Sequence, residues 1–297
     1  MTIPHFDEFI AIDWSGAAGR YDGIAVARCR PGRRPPSLVK PPGRNWTRTA
    51  IADWLEDQLT RTRPLLIGLD FAFGFPYERD LGYLGGRAPA VDDVFALWSL
   101  IESSSVDDPD FGCAGFVNNP NNECLFWRSG TKPASWVERK RRTEHACAEA
   151  TSTRPDTLYK LLHSKQVGKA SITGIRVLHR IRSRSNAVAI WPFEMIRSSA
   201  IVEIYPTMFR KMATGSVAKL RNLKDLNGAL DRLGSRPIAN AGARDLTDHD
   251  TDALISAVGL RAIAPRAETW TFSERTAPLV QREGWIFGVS QKSATPH

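Results

Sequence analysis

Long apolar runs are missing from this 297-residue chain. No stretch approaches about 18 consecutive apolar residues, the length a helix needs to cross a bilayer, so no membrane partner is expected. Cysteine is scarce. Cys29, Cys113, Cys124 and Cys147 form no C-x-x-C pair, and His145-x-Cys147 has no second pair to complete a zinc site. That usage argues against a disulfide framework and against structural zinc. Neither G-x-x-x-x-G-K-[ST] nor G-x-G-x-x-G occurs, so the phosphate loop and the dinucleotide fingerprint are both absent. Internal repeats are absent too. The first residues, Met1 to Phe9, lack a basic stretch followed by an apolar one, and a cytoplasmic protein is expected.

What is present reads as a globular chain: 42% hydrophobic and 24% charged residues, long enough to bury a large core. The expected organisation is a single α/β domain over residues 1–290 with an insertion at about 71–184, followed by a loose tail at 291–297. Lys and Arg number 40 against 32 Asp and Glu, for a net charge of +8. The basicity is regional. Between Arg139 and Arg184 there are 12 basic and three acidic side chains, an excess larger than that of the whole chain. Such a segment predicts a surface for a polyanion.

Phe9 to Ile12 reads as a buried strand ending at Asp13, followed by strands near Gly23–Ala27 and Ser37–Lys40, an antiparallel meander. A helix follows from Thr49, with Thr47 or Thr49 as its cap, and Pro64 stops it. Leu65 to Leu69 is apolar throughout, as suits a strand covered on both faces, and it too ends in an acid, Asp70. Helices are expected at Val91–Ile101, Trp136–Ala150, from Ser171 or Gly174 to Arg184, and around Val217–Leu233. Ala200 to Tyr205 is a strand interrupted by Glu203 and closed by Pro206, and Gly284 to Val289 a last strand. Thr247-x-x-Asp250 is close to a capping box and starts a further helix.

Carboxylates in apolar strands cost several kcal/mol unless something neutralises them. Asp13, Asp70 and Glu203 all sit in or at the end of such strands, and Asp248 and Asp252 share one helix face at i, i+4. Strand ends at one sheet edge converge on a crevice. A hard divalent ion, Mg²⁺ or Mn²⁺, would neutralise such a cluster. Asp248 and Asp250 also suit a capping role, and His249 is either a proton carrier or a surface residue.

The order strand-Asp, two strands, helix, strand-Asp, insertion, strand-Glu, helix with Asp resembles the ribonuclease-H-like fold, a mixed sheet with flanking helices, here with a large, basic, partly helical insertion. Ile12-Asp13-Trp14-Ser15-Gly16, Gly68 to Pro76 (GLDFAFGFP), Arg142-Thr143-Glu144, Gln166-Val167-Gly168, Val202 to Pro206 (VEIYP) and His249 to Leu254 (HDTDAL) are similar to the family known as domain of unknown function 429, predicted RNase-H-like nucleases. The helix motif Asp-Ala-Leu also resembles that of RuvC-type Holliday-junction resolvases, which carry an acid three residues before the last Asp. His249 stands there in this chain, with Asp248 one residue earlier. The resemblance implies a phosphodiesterase acting on DNA or RNA by a two-metal mechanism, with catalytic Asp13, Asp70, Glu203 and Asp252, and Asp248 as a further ligand. It implies phosphate contacts from Lys140, Arg141 and Arg142 beside Glu144, and base stacking on Trp14, Phe71 or Trp136. A resolvase of this kind would act as a homodimer with two-fold symmetry. Two other classes share some of these features: an actin-like or sugar-kinase-like phosphotransferase, and a non-catalytic nucleic-acid-binding module.

Overall fold

The structure is a computed structural model that describes residues 3–17, 23–134, 136–162, 167–239 and 245–291. Gln166, Lys165 and the expected loose tail from 292 onward lie outside the described residues. The fold is α/β, built on a mixed six-stranded sheet flanked by helices.

Strand β1 (Glu8–Asp13) pairs antiparallel with β2 (Ala25–Cys29), which pairs antiparallel with β3 (Ser37–Leu38). Helix α1 (Arg48–Leu59) follows, and its Thr47 cap accepts the Ala50 N–H at 3.0 Å. It leads into β4 (Leu65–Leu69), which lies parallel to β1. A short hairpin, β5 (Tyr77–Glu78) and β6 (Gly82–Tyr83), precedes α2 (Val94–Ser104), α3 (Ala114–Val117), α4 (Arg142–Thr151) and α5 (Val167–Arg184). Then come β7 (Val188–Ile190), β8 (Ser199–Glu203), α6 (Pro206–Thr214), α7 (Leu223–Arg232), α8 (Asp248–Ile263) and α9 (Ala277–Glu283). The strand order is β3-β2-β1-β4-β8-β7, with the last four parallel to one another.

Side-chain alternation divides the strands between two cores. Ile10, Ile12, Leu65, Ile67, Leu69 and Ile201 face α1, α2 and α5. Phe9, Ala11, Leu66, Val202 and Ile204 face α6, α7 and α8. Helix α8 packs across β1 and β2, where Ala11, Ala25 and Ala27 leave room for it, and Gly68 does the same on β4: a Cβ there would lie 2.8 Å from Leu260.

The expected helices at 91–101 and 136–150 form over Val94–Ser104 and Arg142–Thr151, and α5 starts earlier than expected, at Val167. The helix expected around 217–233 is shorter, Leu223–Arg232. Gly284 to Val289 forms no strand; Ile286 makes a single bridge to Glu203. The 71–184 segment supplies α2 and α5 to the first core, so it is continuous with the sheet's cover. No helix among the described residues is long and apolar enough to cross a membrane.

Candidate active site

Asp13 ends β1 and Asp70 follows the last residue of the neighbouring parallel strand β4, its N–H donating to the Ile12 carbonyl at 3.0 Å. Register fixes which way the acids point. Ile12 pairs with Leu69 and Leu69 with Glu203, so these three share one face, the face of α1 and α5. Asp13, opposite Ala25, lies on the other face with Asp70, toward α8.

There α8 adds His249, whose Nδ1 lies 2.6 Å from Asp13 Oδ2, and Asp252 one turn on. Asp13 and Asp252 are buried and Asp70 partly so. Burial raises the Asp13 carboxyl, and the Asp252 charge adds to this against the hydrogen bond from His249. Asp70 is raised well above the carboxylate range, first by burial, then by the charges of Asp13 and Asp252, and by sharing a hydrogen bond with Asp13. His249 is held above its ordinary value by its bond to Asp13. Three acids therefore repel one another in a poorly solvated place.

Two cations answer them, both on Asp252. Arg210 of α6 donates to Oδ1, and Lys219 to Oδ2. The loop after β1 is fixed by Arg48, which donates to the carbonyls of Ser15 and Ala17 at 3.2 and 2.6 Å. Gly16 lies against the first turn of α5, where a Cβ would come within 2.3 Å of the Ala170 nitrogen. Nothing in the local sequence around Arg48, Arg210 or Lys219 marks them, because their partners are far along the chain.

Glu203 is not part of this group. It lies on the opposite face, 3% exposed, where Arg141 Nη1 donates to Oε2 at 2.8 Å, Nη2 to Oε1 at 2.5 Å, and the Phe73 N–H to Oε2 at 3.1 Å. Arg141 also holds Glu144, through Nε to Oε1 at 3.0 Å, and the Glu283 carbonyl at 2.9 Å. Burial alone would lower the Arg141 guanidinium; Glu144 and Glu203 outweigh it and hold it above its ordinary value. The expected metal ligand Glu203 and the expected phosphate contacts Arg141 and Glu144 are thus one buried ion knot.

The other expected contacts are also redirected. Trp14 and Phe71 are buried and pack on each other, ring centroids 5.1 Å apart, with Trp14 Nε1 donating to Thr173 Oγ1, so neither offers a face to a base. Trp136 is buried as well, donating to the Leu125 carbonyl. Lys140 pairs with Glu138 at 3.2 Å, and the Arg142 backbone N–H donates to Glu283. Several arginines of the basic segment are countered from elsewhere in the chain: Arg139 by Glu78, Arg176 by Glu102, Arg180 by Asp53 and Glu56, and Arg182 by Glu194. Its excess of charge along the sequence is not an equal excess on the surface. Asp250 closes the capping box with Thr247, and Asp248, half-buried, opens α8.

The Asp13–Asp70 pair suits a hard divalent ion: adjacent carboxyl oxygens, raised by burial and by each other's charge, whose repulsion a cation would relieve. The five-acid set is not assembled, and among the described residues no three His, Cys, Asp or Glu side chains converge as a metal cage. Comparisons with protein-family models, with curated proteins and with solved structures find no match.

Proposed function

We propose that this protein is a metal-dependent phosphodiesterase acting on nucleic acid, built on a ribonuclease-H-like sheet, with Asp13 and Asp70 at its centre. The observation that carries the reading is the Asp13–Asp70 pair, two carboxyls crowded together at the ends of adjacent parallel strands and raised by burial and mutual charge. The order of three antiparallel strands followed by parallel ones, and a helix that brings an acid to the same edge, supports the fold assignment. Mg²⁺ typically keeps several waters and binds through one or two carboxylates plus substrate phosphates, so a pair is a sufficient protein contribution. Bound there, it would activate water and neutralise charge on the phosphate. His249 orients the Asp13 carboxylate through its 2.6 Å contact, and Asp252 stands beside the pair in the keeping of Arg210 and Lys219.

The test is thermal unfolding in EDTA, Mg²⁺ and Mn²⁺ on wild type and Asp70→Asn, followed by cleavage assays on branched, duplex and single-stranded substrates. Metal at about 100 times its Kd stabilises by about 2.7 kcal/mol. The wild type is expected to gain several degrees with metal and to cleave. Asp70→Asn is expected to lose both responses while melting about 2 °C higher than wild type without metal, because one repelling charge is gone. A wild type indifferent to metal and inert on every substrate refutes the reading.

A further inference from the structure

Asp252 is paired with a cation on each carboxylate oxygen, and the two cations are held differently. Arg210 is 4% exposed and is braced by a second bond, Nη2 to Thr207 Oγ1 at 2.7 Å. Lys219 comes from the stretch between α6 and α7, where residues 215–219 are exposed, and its side chain keeps 37% of its surface in solvent. Its charge reaches beyond Asp252: it lowers the carboxyls of both Asp13 and Asp70 and opposes protonation of His249. One partly exposed ammonium thus serves acids from two strand ends and a helix.

We propose that Lys219 is a built-in counter-cation of this cluster and competes with a divalent ion for Asp252. The inference rests on the metal-centre reading above. An ammonium is a compact charge on a flexible four-carbon stem, and it can leave a carboxylate by rotating side-chain bonds; the buried, doubly bonded guanidinium of Arg210 cannot leave without moving α6. Release of Lys219 would free one oxygen of Asp252, whose charge already bears on Asp13 and Asp70, for a dication drawn to that pair.

The experiment measures Mn²⁺ binding to the full chain by calorimetry in wild type, Lys219→Met and Lys219→Arg. In parallel, wild type is acetylated with an N-hydroxysuccinimide ester with and without Mn²⁺, and modification of Lys219 is read by mass spectrometry. Lys219→Met is expected to bind Mn²⁺ about three- to fivefold more tightly, the upper scale of losing one partly exposed ion pair. Lys219→Arg keeps the cation and is expected to stay within about twofold of wild type. Lys219 in wild type is expected to be labelled several-fold faster once Mn²⁺ is bound. Equal or weaker binding by Lys219→Met, or labelling indifferent to Mn²⁺, overturns the competition while Mn²⁺ binding itself leaves the metal centre standing. Failure of all three proteins to bind Mn²⁺ overturns both. Lys219 is exposed on an irregular stretch and Arg210 still pairs with Asp252 in its absence, so the variants are expected to fold.

Discussion

Replacing Arg141 with Met tests the assignment of Glu203 to the framework. Arg141, Glu144 and Glu203 are 1%, 4% and 3% exposed, so removing the guanidinium strands two carboxylates and the Glu283 carbonyl in the interior. Breaking a buried pair from one side costs about 3–5 kcal/mol. At about 2 °C per kcal/mol for a chain of this length, the melting temperature should fall by about 6–10 °C. The deficit should also depend on pH in a defined direction. A stranded buried carboxyl has a folded pKa above its unfolded value of about 4.3, so its contribution is intact below that pH and is lost as pH rises through the folded pKa. Arg141→Met should therefore recover part of its deficit between pH 8 and pH 5. Adding Glu203→Gln to Arg141→Met removes one stranded charge and should restore at least about 1 kcal/mol, a coupling that denaturation of the four proteins of the cycle measures. Glu203→Gln alone should leave any metal response intact. A fall of less than about 2 °C for Arg141→Met, or a deficit that grows toward acid pH, refutes the reasoning.

Burial pushes the Glu283 carboxyl from 4.5 up to about 7, against the Arg142 and Tyr77 N–H groups that donate to it. Because the folded pKa is raised, its share of stability is full below about pH 4.5 and is lost as pH rises through 7, at most about 3 kcal/mol; urea midpoints from pH 4.5 to 8 should fall more steeply in wild type than in Glu283→Gln, and an equal slope contradicts this. Gly174→Ala would set its Cβ 2.5 Å from the Phe71 ring. The helix-propensity gain of up to about 1 kcal/mol is smaller than the about 1–3 kcal/mol cost of overpacking, so the variant should melt lower; a higher melting temperature shows that Phe71 yields freely.

The sequence made β1, β2, α1, β4 and the start of α8 legible because each has an unambiguous local signal: apolar runs, a Thr47 cap, a Thr247–Asp250 box. Pro206 closes β8 and is also the first residue of α6, since a proline at that position lacks only an N–H the helix would not use. Strand β7 has only three residues, and α9 is a seven-residue helix with a proline in its first turn, both too short for a periodic signal. The basic segment misled for a different reason. Counting charge along the chain cannot see that Glu56, Glu102 and Glu194 arrive from other elements to meet Arg180, Arg176 and Arg182.

The acids at the strand ends show most plainly what a sequence carries and what it withholds. Asp13, Asp70 and Glu203 look equivalent along the chain, each the polar end of an apolar run, and an argument from burial cost treats them alike. Register separates them. Because Leu69 stands opposite Glu203 and Ile12 opposite Leu69, a shift of one residue puts Glu203 on the α1–α5 face and Asp13 with Asp70 on the α8 face. Each face then solves its charge in its own way. On one, Arg141 closes permanently around Glu203 and Glu144, and the gain is a rigid junction with Glu283 and the end of α9. On the other, the available cations are on Asp252, one helix away, and the Asp13–Asp70 pair is left with a histidine and each other. Stability and chemistry should accordingly separate by face. Substitutions in the Arg141 knot should lower the melting temperature by about 6–10 °C and leave the metal response, whereas Asp70→Asn should abolish the metal response and raise the metal-free melting temperature by only about 2 °C, although the two sites are neighbours across one layer of sheet.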